Sequence, residues 1–176
     1  MDDKLKTFYE LYDRRKSIRE FGDAPVPDDV LSRLLNVLNR AQSAANRQPW
    51  HFVVIDNKDR KRFNETFTKE GFKKAPIVIV ACADPLQAWV RKTDSRNYAW
   101  VDVSIAVTEM IGAATAEGLG CCWVAAIDAQ QVKEIVGIPG HMDVVAVIAV
   151  GYPVVELKKE EKTRKPLKEI IHYGRW

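Results

Sequence analysis

The sequence contains the stretch S-A-A-N-R-Q-P-W-H-F between Ser43 and Phe52, which joins two segments of different periodicity. Apolar residues before it recur at helical spacing, and those after it form a short run typical of a strand. Its serine, asparagine and glutamine offer short hydrogen-bonding side chains on a turn, and Pro49 fixes the entry into the strand. Judged alone, the stretch is a helix-to-strand loop, in which Trp50 is more typical of the core than of a ligand platform.

On both sides of this loop, helical and extended patterns alternate along the chain. Periodicity predicts helices over 5–14, 28–41, 59–67, 100–117 and 130–136, the last capped by Asp128. Strands are predicted over 51–55, 77–83, 121–127 and 144–150, and an extended tail from 154 with a last turn near Ile170. Such interleaving predicts one mixed domain of helices and strands over 1–176, but it does not give the strand order.

The composition excludes several classes of protein. The 176 residues carry 27 basic and 24 acidic side chains, and a net charge of +3 is too small to indicate nucleic-acid binding. The longest apolar runs have seven residues, whereas a membrane helix needs about 20. The first residues, MDDKLKTFYE, lack the apolar region of a signal peptide. We therefore expect a cytoplasmic protein without membrane association, whose three cysteines are reduced, buried thiols.

Basic residues gather in two places that could bind an anion. Residues 14–19 hold four cations and the Ser17 hydroxyl, and in an extended conformation Arg15, Ser17 and Arg19 would share one face. Such a face offers a site of phosphate size, because guanidinium groups bind phosphate through two hydrogen bonds. The run 162–165 is a second basic group, and the two groups could converge on one phosphate. Judged alone, each run is more typical of an ordinary solvated charged segment.

The long predicted helix over 100–117 is rich in small residues, which suits either a core helix or a helix at a dimer interface. Asp102 near its start favours a capping role at the positive helix end over a catalytic one. The glycines of 118–120 end the helix, since glycine readily adopts the left-handed conformation that follows a helix. The chain has no dinucleotide-binding, P-loop or nucleophile-elbow motif and no histidine pair at metal-ligand spacing. We therefore predict no metal site and name no catalytic side chain.

In their order along the chain, these pieces resemble the nitroreductase family of FMN-dependent NAD(P)H oxidoreductases. The matching marks cover nearly the whole chain and comprise R-K-S-I-R at 15–19, the stretch 43–52, G-L-G at 118–120, C-W-V-A-A at 122–126 and K-T-R at 162–164. The resemblance implies an α+β, three-layer fold with a mixed, mostly antiparallel central sheet flanked by helices. It also implies an intertwined homodimer with two FMN sites at its interface.

The resemblance further assigns the residues of the FMN site. Arg15 and Ser17 would hold the phosphate and ribityl end, Lys16 would add backbone or charge contacts, and Arg19 would reach the pyrimidine edge of the flavin. Two further cations would close on the phosphate, a loop from the partner subunit would complete the site, and two backbone positions would lie near flavin N5. The two cations are Lys162 and Arg164, and the two backbone positions are Ala125 and Ala126. The loop from the partner subunit comprises Gln42, Ser43, Ala44 and Asn46.

Two of these positions depart from the family pattern. Gln42 stands where proline is frequent, and the pair Ala125-Ala126 stands where glycine is frequent. The two added methyl groups lie at a site of close approach, where they could tighten the pocket or weaken FMN binding.

The resemblance implies that NAD(P)H gives hydride to flavin N5 and that a small organic acceptor, such as a nitroaromatic or a quinone, then takes it by a ping-pong mechanism. Arg19 would favour the anionic reduced flavin. The segment 89–100 could cap the pocket and stack an aromatic acceptor, or form a surface helix with core aromatics. Alternatives are a dehalogenase or enone reductase on the same scaffold, a non-catalytic flavin-binding protein, and a small basic module that binds RNA or nucleotides.

Overall fold

The structure is a computed structural model that describes residues 2–55, 57–159 and 161–176. Its α-helices are α1 (Asp3–Arg14), α2 (Asp28–Arg40), α3 (Asn57–Phe63), α4 (Glu70–Lys73), α5 (Ala99–Ala116) and α6 (Ala129–Val136). Its strands are β1 (Trp50–Val54), β2 (Ile77–Ala83), β3 (Val90–Arg91), β4 (Arg96–Asn97), β5 (Gly120–Val124) and β6 (Asp143–Gly151). Short 3-10 turns occur at Ala44–Asn46, Asn64–Thr66 and Leu167–Glu169.

Four strands form the main sheet in the order β1-β2-β6-β5, and every neighbouring pair is antiparallel. The two middle strands are buried because both faces of the sheet are covered. Ile79 of β2 pairs with Ile148 of β6, and all seven residues of β2 are buried. This confirms the strand predicted over 77–83. A register shift between Ala81 and Cys82 interrupts the pairing of these two strands.

Helices cover the sheet on two sides. On one face α2 and α5 pack through Leu34, Val103 and Met110, each with no exposed surface. On the opposite face Phe63 and Val132 pack from the outer layer against strand residues such as Val78. The predicted α+β three-layer fold is therefore confirmed. Ser17 adds a parallel bridge to Cys121 of β5, which makes the sheet mixed at this edge.

Several helices and strands begin or end at residues other than those predicted. The helix predicted over 59–67 begins at Asn57 and closes with a 3-10 turn, the strand predicted over 121–127 ends at Val124, and the short helix α4 was not predicted. The helix predicted over 130–136 forms, and the Asp128 carboxylate caps it by accepting hydrogen bonds from the backbone N–H groups of Gln130 and Gln131, both at 3.0 Å.

The segment 89–100 does not form a surface helix. It contains the hairpin β3–β4, whose turn places Ser95 at φ 56°, and the rings of Trp89 and Tyr98 meet edge to face at 5.0 Å. Within the described ranges, α5 alone is long and apolar enough to cross a membrane by length and composition. No long unbroken apolar run marks this helix in the sequence, because polar residues such as Asp102 and Glu109 interrupt it. Since Val103 and Met110 are fully buried against the sheet, we assign α5 to the core.

Candidate cofactor-binding site

The segment 15–19 runs beside β5 in an extended conformation. The backbone N–H of Ile18 donates to the Cys121 carbonyl oxygen at 2.9 Å, and Ser17 forms the parallel bridge to the same residue. Ile18 is buried while Ser17 and Arg19 are exposed. This alternation confirms that Ser17 and Arg19 lie on one face, and Arg15 leaves α1 with extended backbone angles.

Two glycines allow this segment to lie close to the rest of the protein. A Cβ at Gly120 would lie 2.4 Å from Cγ1 of Ile18, and a Cβ at Gly71 would lie 1.9 Å from the Arg19 carbonyl oxygen. Gly118, with φ 77°, adopts the left-handed conformation that the sequence predicted after the long helix. Gly120 instead provides space for Ile18, a role the sequence did not indicate.

Cations from the two ends of the chain meet beside this segment. The Lys162 ammonium donates to the Tyr12 carbonyl oxygen. Partial burial and the nearby positive charges of Arg15 and Arg164 lower the pKa of Lys162. Such mutual repulsion is relieved by a bound anion, which is how basic clusters bind phosphate. The predicted convergence of the two basic groups therefore occurs, and their role as phosphate ligands stays a prediction.

Arg19 lies on the outer side of the same segment, where Nη1 donates to the Ser17 carbonyl oxygen at 3.3 Å. Burial raises the pKa of the Cys122 thiol, and the positive charges of Arg19 and Lys69 oppose that rise. Burial likewise raises the pKa of Cys121 to about 12 and that of Cys82 to about 11. These cysteines are therefore protonated at neutral pH and are poor nucleophiles.

The loop between α2 and β1 has an unusual backbone. Ala45, Asn46 and Gln48 all have positive φ angles, of 50°, 53° and 51°. Asparagine tolerates this region, whereas alanine and glutamine are strained there by about 1 kcal/mol each. The Ser43 hydroxyl oxygen accepts from the Gln48 backbone N–H at 3.0 Å, and the Gln48 side chain donates to Asn46 Oδ1 at 3.2 Å. Gln48, which was not among the predicted site residues, therefore shapes this loop.

Asp102, which lies on α5 and outside the loop sequence, holds the loop by a hydrogen bond. It lies in the first turn of α5, as predicted, but its Oδ1 accepts from the Ala44 backbone N–H at 3.0 Å. The predicted capping role is wrong in detail, because the Asn97 side chain accepts from the first helical N–H, that of Ala99. Sequence reasoning missed this contact, since Ala44 and Asp102 lie 58 positions apart.

Ala125 and Ala126 follow the end of β5 and are exposed. The Ile127 backbone N–H donates to the Ala125 carbonyl oxygen at 3.0 Å, which turns the chain away from the sheet. Nearby, the Trp100 indole N–H donates to the Asp143 carboxylate at 2.7 Å and ties the start of α5 to the start of β6. Both alanines are thus accessible at the end of β5.

Two groups of predicted site residues, the loop between α2 and β1 and the segment that begins at Arg15, lie apart within one chain. The loop is fixed beside Asp102, whereas Arg15 lines a groove that reaches Gly112 and Ala113, about 15 Å further along the helix axis. That groove has a volume of about 420 Å³ and separates α1 from α5. Phe8 and Tyr12, which line it, are about half exposed, as are Leu5 and Tyr9 of the same helix.

Comparison with known proteins agrees with this architecture. The Nitroreductase family model matches residues 12–71 and 62–152. A protein of Archaeoglobus fulgidus, provisionally named NADH dehydrogenase/NAD(P)H nitroreductase, is 32% identical over 100% of both chains. The solved FMN-dependent nitroreductase of Clostridium difficile has a TM-score of 0.79 and 26% identity, covering 96% of this chain and 99% of its own. The iodotyrosine deiodinase of Thermotoga neapolitana is 25% identical over 95% of this chain and 97% of its own.

The fold is that of an α+β oxidoreductase scaffold. The chain belongs to the nitroreductase family, and it is an oxidoreductase.

Proposed function

We propose that the protein is an FMN-dependent oxidoreductase that takes hydride from NAD(P)H and passes it to a small organic acceptor. One observation carries the cofactor assignment: the Lys162 ammonium donates to the Tyr12 carbonyl oxygen, where the charges of both Arg15 and Arg164 act on it. Three converging cations fit a phosphate monoester, which carries close to two negative charges at neutral pH. Bound FMN supplies the hydride-transfer chemistry, which leaves binding, orientation and charge to the protein.

The chain's own residues suit the parts of FMN as follows. Arg15, Lys162 and Arg164 hold the phosphate, and the exposed Ser17 hydroxyl binds the ribityl end. Lys16 adds backbone or charge contacts, while Arg19 places its positive charge at the pyrimidine edge. That charge stabilises the anionic reduced cofactor by about 1–3 kcal/mol at a partly screened distance.

We propose that the site is completed in a homodimer, with Gln42, Ser43, Ala44 and Asn46 supplied by the partner subunit. The loop is held at the start of α5 by Asp102, whereas Arg15 lines a groove over the later turns of the same helix, and this placement supports a contribution from a second copy. The half-exposed side chains of α1 give that copy an apolar surface. Contiguous exposed apolar groups of this kind are typical of protein interfaces.

Ala125 and Ala126 leave accessible backbone where we place the reactive edge of the cofactor. We expect NAD(P)H and then the acceptor to occupy the same space in turn, which gives ping-pong kinetics. The hairpin β3–β4 is a candidate cover for this space, because it holds Arg91 5.7 Å above the Tyr98 ring and offers an aromatic surface.

The decisive experiment is an FMN titration of the purified protein, followed by anaerobic NADH or NADPH. We expect the visible spectrum of bound flavin, bleaching with one of the two donors, and recovery with a nitroaromatic or a quinone. Lys162→Ala should weaken FMN binding, whereas the matched control Lys168→Ala, at an exposed position of the same tail, should not. A wild-type protein that binds no FMN would refute the proposal, and a protein that binds FMN without turnover would instead be a non-catalytic flavoprotein.

A second candidate is reductive dehalogenation, because a deiodinase matches the chain over nearly its full length. A panel that compares halogenated phenols, enones, quinones and nitroaromatics separates the possibilities. Release of halide at a rate above nitroaromatic reduction would favour the dehalogenase.

A further inference from the structure

Asp102 is a buried carboxylate with an unusual set of contacts. Only 1% of its surface is exposed, Oδ1 accepts from the Ala44 backbone N–H at 3.0 Å, and Oδ2 has no hydrogen-bond partner within the described part of the chain. Burying a carboxylate that is only half satisfied is unfavourable for the stability of a fold. Its single contact with another segment therefore suggests a purpose other than stability.

The hydrogen bond from Ala44 to Asp102 is made by a loop whose backbone is strained. Three residues within four positions, Ala45, Asn46 and Gln48, adopt left-handed backbone angles. Internal hydrogen bonds from Gln48 to Ser43 and Asn46 shape the loop, but they do not attach it to the rest of the protein. The Asp102 carboxylate supplies that attachment at Ala44, the first residue of the 3-10 turn.

The position of Asp102 makes the attachment rigid. Its own backbone N–H donates to the Tyr98 carbonyl oxygen at 3.0 Å within the first turn of α5. The positive end of the helix favours a negative charge at this point. Asn97 already satisfies the first helical N–H, so the carboxylate is left to bind the loop.

We infer that Asp102 is the positioning residue of the cofactor site: it holds the 42–48 loop in the strained shape that contacts FMN. This inference rests on the proposed function, because it assigns a purpose to a loop that we place against the cofactor. Asp102 itself touches the loop backbone and acts on FMN through it.

The test compares variants in FMN-free and FMN-bound protein. Asp102→Ala removes the acceptor, and Asp102→Asn retains an oxygen that can accept from Ala44. Thr115→Ala is the matched control, since Thr115 is also buried on α5 and its hydroxyl donates to the Ile111 carbonyl oxygen at the far end of the helix. Ala44→Pro removes the same hydrogen bond from the loop side, and Ser43, with φ −141° and ψ 155°, already has the extended conformation that precedes proline.

Without FMN, we expect the Ala44 amide of Asp102→Ala to exchange with solvent about tenfold faster, and trypsin to cut after the exposed Arg47 sooner. With FMN, we expect the dissociation constant to rise about tenfold in Asp102→Ala and in Ala44→Pro. Asp102→Asn should restore both properties to within about threefold of wild type, and Thr115→Ala should leave both unchanged.

The inference is overturned if Asp102→Ala and Ala44→Pro bind FMN as tightly as Thr115→Ala, whatever happens to loop exchange. It is equally overturned if Asp102→Asn is as impaired as Asp102→Ala, because the charge rather than the hydrogen bond to the loop would then be responsible. A wild-type protein that fails to bind FMN would instead refute the proposed function, so the two failures are distinguishable.

Discussion

Replacing Gly120 by alanine should displace the segment 15–19 and so disturb the candidate cofactor site. The new Cβ would lie 2.4 Å from Cγ1, 2.8 Å from Cβ and 3.0 Å from Cγ2 of Ile18. A change of side-chain rotamer could move the two Cγ atoms, but the Cβ of Ile18 is fixed by its backbone. The segment 15–19 must therefore move away from β5, which strains the 2.9 Å hydrogen bond from the Ile18 N–H to the Cys121 carbonyl oxygen.

The size of the effect follows from overpacking. Inserting a methyl group into a filled site costs about 1–3 kcal/mol. For a domain of this length, each kcal/mol lowers the melting temperature by about 2–4 °C, so we expect a decrease of about 2–12 °C. The displaced segment carries Arg15 and Ser17, and loss of one charged contact should weaken FMN binding about tenfold.

Thermal melts and flavin fluorescence titrations measure both quantities. Gly118→Ala is the control, because a Cβ there meets no atom within 4 Å, although the φ of 77° makes it strained. It should lower the melting temperature by about 2–4 °C, the effect of about 1 kcal/mol, with FMN affinity unchanged. If Gly120→Ala melts and binds FMN like wild type, the close packing of this edge segment does not govern the site.

Three further perturbations test other parts of the site and the fold. Arg19→Ala should lower the flavin midpoint potential by about 20–65 mV, equivalent to about 1–3 kcal/mol, while much FMN stays bound, as spectroelectrochemistry would show. Arg164→Ala should weaken FMN binding by about 1.5–3 kcal/mol, and unchanged affinity after Lys162 is also removed would exclude the C-terminal phosphate clamp. The hydrogen bond from Arg33 holds the pKa of Glu117 below its usual value, so this contribution to stability is present above about pH 4.3 and is lost as the pH falls through the lowered pKa. Melting temperatures between about pH 3 and pH 7 should therefore vary less in Glu117→Gln, and an identical pH profile would count against this ion pair.

The sequence predicted the elements whose periodicity is strong. The strand over 77–83 was predicted with its correct ends because an unbroken apolar run, β-branched in its first half, is buried on both faces. The hairpin within 89–100 was not, because its strands are only two residues long and show no alternation. Local patterns are insufficient at this length.

The candidate site likewise has features that the sequence predicted and features that it did not. The alternation of Ser17, Ile18 and Arg19 was readable because it is local. The contact between Asp102 and Ala44 depends on how α5 packs beside the loop, which no local pattern encodes. The same holds for Gly120, since its role depends on Ile18, a residue that comes more than a hundred positions earlier in the chain.

The basic cluster brings Arg15 together with Lys162 and Arg164, which come almost at the other end of the sequence. During translation, the residues of all helices and strands up to Gly151 are added before these last two cations. The chain thus carries every strand of its main sheet before its basic cluster is complete. On the proposed function, only chains that extend through Arg164 would hold the phosphate of the cofactor with all three cations.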